Sequence, residues 1–258
     1  EEQICGPSGQ LVKIEVFAHG ALCMAVSGKC YLSLDNFNMS ANRGACIQLC
    51  RRGYRVEDLD RQVELNIENE YIMSPKDLKT IDFLDVIVNA GVSVLKIEGR
   101  ARSPEYVKTV TMVYKEAVTS IAHGTFYDEK IAGWNEKLKT VFNRGFWDGY
   151  YLGRKMGEWA EYGGSQATKT REYVGKVTNF FTRLNVMEVT MESGNLNKGD
   201  EILITGPTTG SFEMVVNEIR VELHETDCTV KGDVCSIPVQ QFIRRNDRVY
   251  KLVQKSVI

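Results

Sequence analysis

Four cysteines, Cys23, Cys30, Cys46 and Cys50, stand in one stretch as a C-x6-C pair and a C-x3-C pair, the second inside the arginine-rich run NRGACIQLCRRGYR. Thiolates gathered so closely suit a metal, because each is a soft anionic donor and several together neutralise one cationic centre. Zinc sites favour cysteine pairs two to four residues apart, so C-x6-C matches zinc poorly. An iron–sulfur cluster is a larger object to surround and accepts irregular spacing. Iron–sulfur binding is the first expectation for these four. The competing reading is a small buried hydrophobe, as free cysteine often is. That reading is preferred for Cys5, Cys228 and Cys235, which lie in terminal or strand-like contexts with no partner pattern.

Other residues could serve the same site. Arg43, Arg51, Arg52 and Arg55 crowd the second cysteine pair, and Lys96, Arg100 and Arg102 flank Glu98. Guanidinium forks suit phosphate and carboxylate, so these residues read either as an RNA- or anion-binding rim or as surface charge and ion pairs that hold loops. Glu98-Gly99-Arg100 closes a β-prone run, where a carboxylate and a guanidinium can orient a substrate. Glu98 can equally anchor a neighbouring arginine. His19, four residues before Cys23, is a candidate to donate to a cluster sulfur, carry a proton or cap a turn. His19, His123 and His224 are the only histidines. With no H-E-x-x-H and no G-x-S-x-G, a familiar zinc or serine protease is unsupported. A Cys23 and His19 pair is the conceivable hydrolytic arrangement. Phe146, Trp147, Tyr150 and Tyr151 form an aromatic stripe that either stacks on bases or fills a core.

The elements that must position these residues read as strands alternating with helices. Lys13 to Phe17 predicts a short strand delivering His19 and Gly20 as a loop. Ser74-Pro75-Lys76-Asp77 carries helix-start signals, and Leu78, Ile81, Leu84, Ile87 and Val88 continue at helical spacing to Asn89-Ala90-Gly91. Val92 to Ile97 predicts a second strand. Ser103-Pro104 then opens a helix with Tyr106, Val107, Val110, Val113, Tyr114, Ala117, Val118 and Ile121 on one face and Gly124 past its end. Two successive strand–loop–helix units imply a parallel sheet. The segment 134–164 reads as a closing helix plus linker. After about Lys169 short β-prone runs alternate with turn signals such as Lys198-Gly199-Asp200 and Lys231-Gly232-Asp233, which predicts a small antiparallel β-barrel.

Composition bounds the rest. The chain has 258 residues, 43% of them hydrophobic, which suffices for one large domain or two modest ones. A formal net charge of -2 argues against indiscriminate coating of nucleic acid, so any polyanion must be met by a local patch. Seven cysteines, an odd number, with no signal-like N-terminal run and no long apolar span, favour a reducing, cytoplasmic setting away from membranes.

The run EVFAHGALCMAVSGKCYLS, with NRGACIQLCRRGY, SPKDL, LKIEGRARSPEYV and NRGFWDGYYLG, resembles the collagenase-like peptidases of family U-32, and most of all their tRNA hydroxylation branch. The resemblance implies an α/β fold, part of a TIM-like parallel barrel over 1–168 followed by the small β-barrel over 169–258. It implies that Cys23, Cys30, Cys46 and Cys50 ligate a 4Fe-4S cluster. Relatives of that branch begin with further strand–helix units, so the chain is expected to be the C-terminal two thirds of such a protein. The implied activity is hydroxylation of wobble uridine in tRNA to 5-hydroxyuridine, with prephenate as a required metabolite. The inherited family label, a peptidase acting on collagen-like substrates, is one alternative; a non-catalytic RNA-binding module is another.

Overall fold

A computed structural model describes residues 4–25, 28–58, 60, 71–154 and 156–255. Two compact units divide the chain, Glu1–Ala101 with Val110–Gln166, and Arg102–Thr109 with Ala167–Ile258.

The first unit contains a four-stranded sheet of β1 (Glu15–Gly20), β2 (Asp77–Lys79), β3 (Val94–Ile97) and β4 (Phe146–Trp147), in the order β3-β1-β2-β4. β1 runs parallel to β3, with Glu15 opposite Val94, and β2 runs parallel to β4. β1 and β2 are antiparallel, with His19 opposite Lys79. The sheet is therefore mixed, which corrects the expectation of a parallel one. Among the described residues no ladder joins β3 to β4, so no barrel closure is seen.

Two local expectations are also corrected. The strand expected to stop at Phe17 continues through His19 and Gly20, because β3 pairs with His19 and the Glu98 amide donates to the His19 carbonyl at 2.8 Å. The helix expected from Ser74 onward begins later. Asp77–Lys79 is a strand, since the Lys76 and Asp77 amides donate to the carbonyls of Glu158 and Gly145 at 2.9 Å each. The fully buried Asp77 carboxylate also faces Arg144 at 3.5 Å. These distant partners outweigh the local capping signals, and the helical pattern is realised as a 3-10 turn at Ile81–Phe83 and α2 at Leu84–Asn89.

α3 (Pro104–Ala122) forms as its periodicity dictates and buries Tyr106, Val110, Val113, Tyr114 and Ala117. Val107 and Val118, expected on the same face, are exposed at its margin. Gly124 follows at φ +65°, a conformation glycine adopts without a Cβ penalty. The Tyr114 hydroxyl locks the sheet beneath: it donates to the Ala18 carbonyl at 2.9 Å and accepts the Thr80 amide at 3.1 Å. α4 (Asp128–Lys139) carries acidic residues in its first turn and lysines in its last, matching the helix dipole. α1 (Tyr31–Phe37) is short and ends on Asn38 in the left-handed conformation.

The second unit contains an eight-stranded antiparallel sheet built from β5 (Lys169–Phe181), β6 (Val186–Met191), β7 (Glu201–Gly206), β8 (Gly210–Val215), β9 (Arg220–Val221), β10 (His224–Glu225), β11 (Val234–Pro238) and β12 (Arg248–Gln254). Their order is β10-β9-β11-β6-β5-β12-β7-β8, and no ladder between β10 and β8 closes it among the described residues. Strict alternation along β6 puts Met187, Val189 and Met191 into a core with Val177, Ile202, Ile204, Ile237 and Val249. Cys235 joins that core, as expected of a small hydrophobe. Cys5 and Cys228 are exposed, which corrects the expected burial for them; each sits in an isolated antiparallel bridge, Cys5 with Leu11 and Cys228 with Asn197. Among the described residues no helix is long and apolar enough to cross a membrane.

Candidate metal centre

The four cysteines come from three short, turn-rich stretches. Cys23 lies in the loop leaving β1, Cys30 immediately precedes α1, and Cys46 and Cys50 flank and enter the 3-10 turn Leu49–Arg51. All four line one cavity of about 380 Å³, together with Met24, Leu32 and Leu49. Cys23 and Cys46 are exposed, Cys30 and Cys50 half-buried.

Their electrostatics agree with that placement. Burial pushes the Cys50 thiol up; Arg51 opposes the shift, and the charges of Cys23, Cys46 and Cys30 add to it. The Cys50 sulfur thus feels all three of the others. Cys30 is held below the ordinary thiol range, chiefly by hydrogen bonding to the Ser33 backbone, against the upward push of burial. Ser33 is fully buried, and its hydroxyl sits between the two cysteine segments, 3.6 Å from the Cys30 sulfur and 3.5 Å from the Ile47 amide.

Among the described residues no three His, Cys, Asp or Glu side chains are arranged as ligands of a single metal ion. A lone zinc would draw thiolates to about 2.3 Å from one point. Four thiols do line one cavity, and an all-cysteine donor set is the kind that iron–sulfur clusters use.

Arg51 serves the architecture of this cavity. Its guanidinium donates to the Leu22 carbonyl at 2.5 Å, the Pro75 carbonyl at 2.5 Å and the Ser74 hydroxyl at 3.1 Å. Arg43 and Arg52 are exposed, and no hydrogen bond or ion pair to a described residue restrains either guanidinium. Arg102 lies in the other unit, over the Tyr106 ring at 5.3 Å.

The other expected residues are placed unequally. The Glu98 carboxylate accepts the Arg100 amide at 2.9 Å, so it stabilises its own loop. That loop presses on Gly20, where an added Cβ would stand 2.7 Å from the Glu98 carbonyl oxygen. The Arg100 guanidinium reaches toward the second cysteine segment, 3.7 Å from where a Cβ on Gly44 would be. His19 is buried in the sheet, 3.3 Å from the Tyr114 hydroxyl and in ring contact with Tyr114 and Phe146. It does not line the cysteine cavity. Of the aromatic stripe, Trp147 is core while Tyr150 and Tyr151 are exposed, the latter donating to the Phe17 carbonyl at 2.7 Å. Sequence reasoning missed Tyr31 and Ser33; their position one and three residues after Cys30 was the available signal.

The model for peptidase family U32 matches residues 2–161. The protein named "Collagenase" from Porphyromonas gingivalis (strain ATCC BAA-308 / W83) is 59% identical over 250 residues, which is 97% of this chain and 60% of that protein. The "tRNA hydroxylation protein P1" of Bacillus subtilis (strain 168) is 33% identical over 215 residues, 81% of this chain and 50% of that protein. The "23S rRNA 5-hydroxycytidine C2501 synthase" of Escherichia coli (strain K12) is 42% identical over 108 residues, 42% of this chain and 16% of that protein. The chain thus spans about 60% of the length of the P. gingivalis relative.

Proposed function

We propose, for a chain that belongs to peptidase family U32, that Cys23, Cys30, Cys46 and Cys50 hold a 4Fe-4S cluster in an RNA-hydroxylating enzyme, or in a component of one. The substrate of this reading is wobble uridine in tRNA, the product 5-hydroxyuridine, and prephenate the accompanying metabolite. The observation that carries it is the convergence of four thiols on one cavity, walled also by Met24, Leu32 and Leu49. Relatives named for tRNA and rRNA hydroxylation support the substrate class.

When bound, such a cluster supplies one-electron chemistry. The protein's own contribution is positional. Arg51 and Ser33 keep the cysteine segments together, Cys50 lies partly out of water, and exposed Arg43 and Arg52 offer guanidinium groups to phosphate. Arg100 reaches the same loop from the end of β3.

A second reading, hydrolysis of a peptide, is favoured by the collagenase-named relative. It needs a nucleophile with a base in reach. His19, the nearest histidine in sequence to these thiols, is buried against Tyr114 and Phe146. Purification without oxygen, followed by iron and sulfide analysis and visible and electron-spin spectroscopy, separates the two. A brown protein whose spectrum is lost on replacing any one of the four cysteines by serine is expected. A colourless, metal-free sample that cleaves peptides would overturn the reading.

A further inference from the structure

The thiol-lined cavity has a neighbour. A second cavity, about 170 Å³, is walled by Gly28, Lys29, Ser40 and Asn42, and it shares Cys30 and Tyr31 with the first. We propose that this second cavity seats one pyrimidine base of a single-stranded RNA, with the Tyr31 ring as the stacking platform. The inference rests on the RNA reading above and assigns residues to it.

Size is the first argument. At about 170 Å³ the cavity is under half the volume of the thiol-lined one, room for a single small ring rather than a stacked pair. Chemistry is the second. Tyr31 is 75% exposed, and no ring, hydrogen bond or ion pair from a described residue covers it. Aromatic rings presented in this way stack on bases with little regard to sequence. Polar groups of the right kind stand beside it. The Asn42 side-chain carbonyl oxygen accepts the Ser40 hydroxyl, which orients the amide and leaves its NH2 group to donate to a carbonyl oxygen of the base. Lys29 is exposed with no carboxylate partner among the described residues, a cation placed for the adjoining phosphate.

Location is the third argument. Cys30 is a wall of both cavities, so a base seated beside Tyr31 is one side chain away from the space the four thiols enclose. Tyr31 follows Cys30 directly in the chain, so the residue that touches the base and the residue that faces the thiol cavity move together. A lone exposed tyrosine would need no explanation. This one stands over two adjoining cavities.

The test is equilibrium binding of the full chain, prepared without oxygen, to two end-labelled probes at one fixed salt concentration. One probe is a short ribose-phosphate strand carrying a single uracil; the other is the same strand with no base. Wild-type protein is expected to prefer the uracil strand about tenfold. Tyr31→Phe is expected to keep that preference and Tyr31→Leu to abolish it, with iron content and visible spectrum unchanged. Should Tyr31→Leu fail to fold, Asn42→Ala, at an exposed position, is expected to reduce the preference about fivefold. Equal binding of both strands by wild type, or full preference in Tyr31→Leu, overturns the base seat and leaves the RNA reading standing. Failure to bind either strand overturns the RNA reading itself.

Discussion

The Arg51 guanidinium donates to the Leu22 carbonyl at 2.5 Å, so the residue after Cys50 grips the residue before Cys23. Its further bonds to Pro75 and Ser74 anchor the same clamp at the start of β2. Arg51→Ala leaves these acceptors without their charged donor and is expected to cost about 2 kcal/mol. It should also lower the iron retained per chain. Arg51→Lys is expected to restore only part of both, because one ammonium cannot replace a planar fork. Thermal melts and iron-to-protein ratios read the two effects. Wild-type values for Arg51→Ala would end the clamp interpretation.

The unrestrained arginines behave differently. Replacing Arg43 or Arg52 by alanine is expected to leave thermal stability unchanged. Each is expected to lower the slope of log affinity for tRNA against log salt by about one. Binding isotherms across a salt series measure this; slopes identical to wild type would remove both residues from the proposed RNA surface.

Gly20 lies at φ +124°, and a Cβ there would meet the Glu98 carbonyl oxygen at 2.7 Å and the Glu98 Cβ at 2.8 Å. Gly20→Ala is therefore both strained in its backbone and blocked by a backbone atom that has no rotamer to relieve it. The expected loss is about 2–4 kcal/mol, read by denaturant unfolding, and it exceeds that of Gly9→Ala, which shares the positive φ (+75°) but has nothing near its Cβ and so isolates the steric block. Equal stability of the two variants would show that the Glu98 loop yields freely.

Cys235 supplies a pH dependence. Burial pushes its thiol from an ordinary 9.0 up to about 12, with the Asp233 charge adding to the shift. Because the folded form holds its proton longer, the associated stability is whole below pH 9 and is lost as pH rises toward 12. Between pH 8 and pH 10 the loss is about 1 kcal/mol. Cys235→Ala is expected to flatten that fall at the cost of a small core cavity at every pH. Tyr173, also pushed up to about 12 by burial and by its hydrogen bond to Glu192, leaves a smaller fall in the variant. Denaturant midpoints at pH 8 and pH 10 decide it: parallel losses in wild type and variant would acquit the thiol.

What is local and periodic can be read from residue spacing. The spacing of Tyr106, Val110, Val113, Tyr114 and Ala117 is enough to make α3 and choose its buried face. Alternation between turn residues is enough to make the strands from Lys169 onward antiparallel neighbours. The density of four cysteines beside arginines was legible as a candidate site before any geometry. The remaining features arise only from the packed chain. Packing turned Asp77–Lys79 into a strand through Gly145 and Arg144, and it buried His19 against Tyr114. It closed Arg51 on Leu22 and Pro75 and opened a second cavity beside Cys30 under Tyr31. Periodicity reports which side of an element is apolar. What a backbone amide pairs with, and where a guanidinium or a ring comes to rest, depends on residues far along the chain that local spacing does not encode.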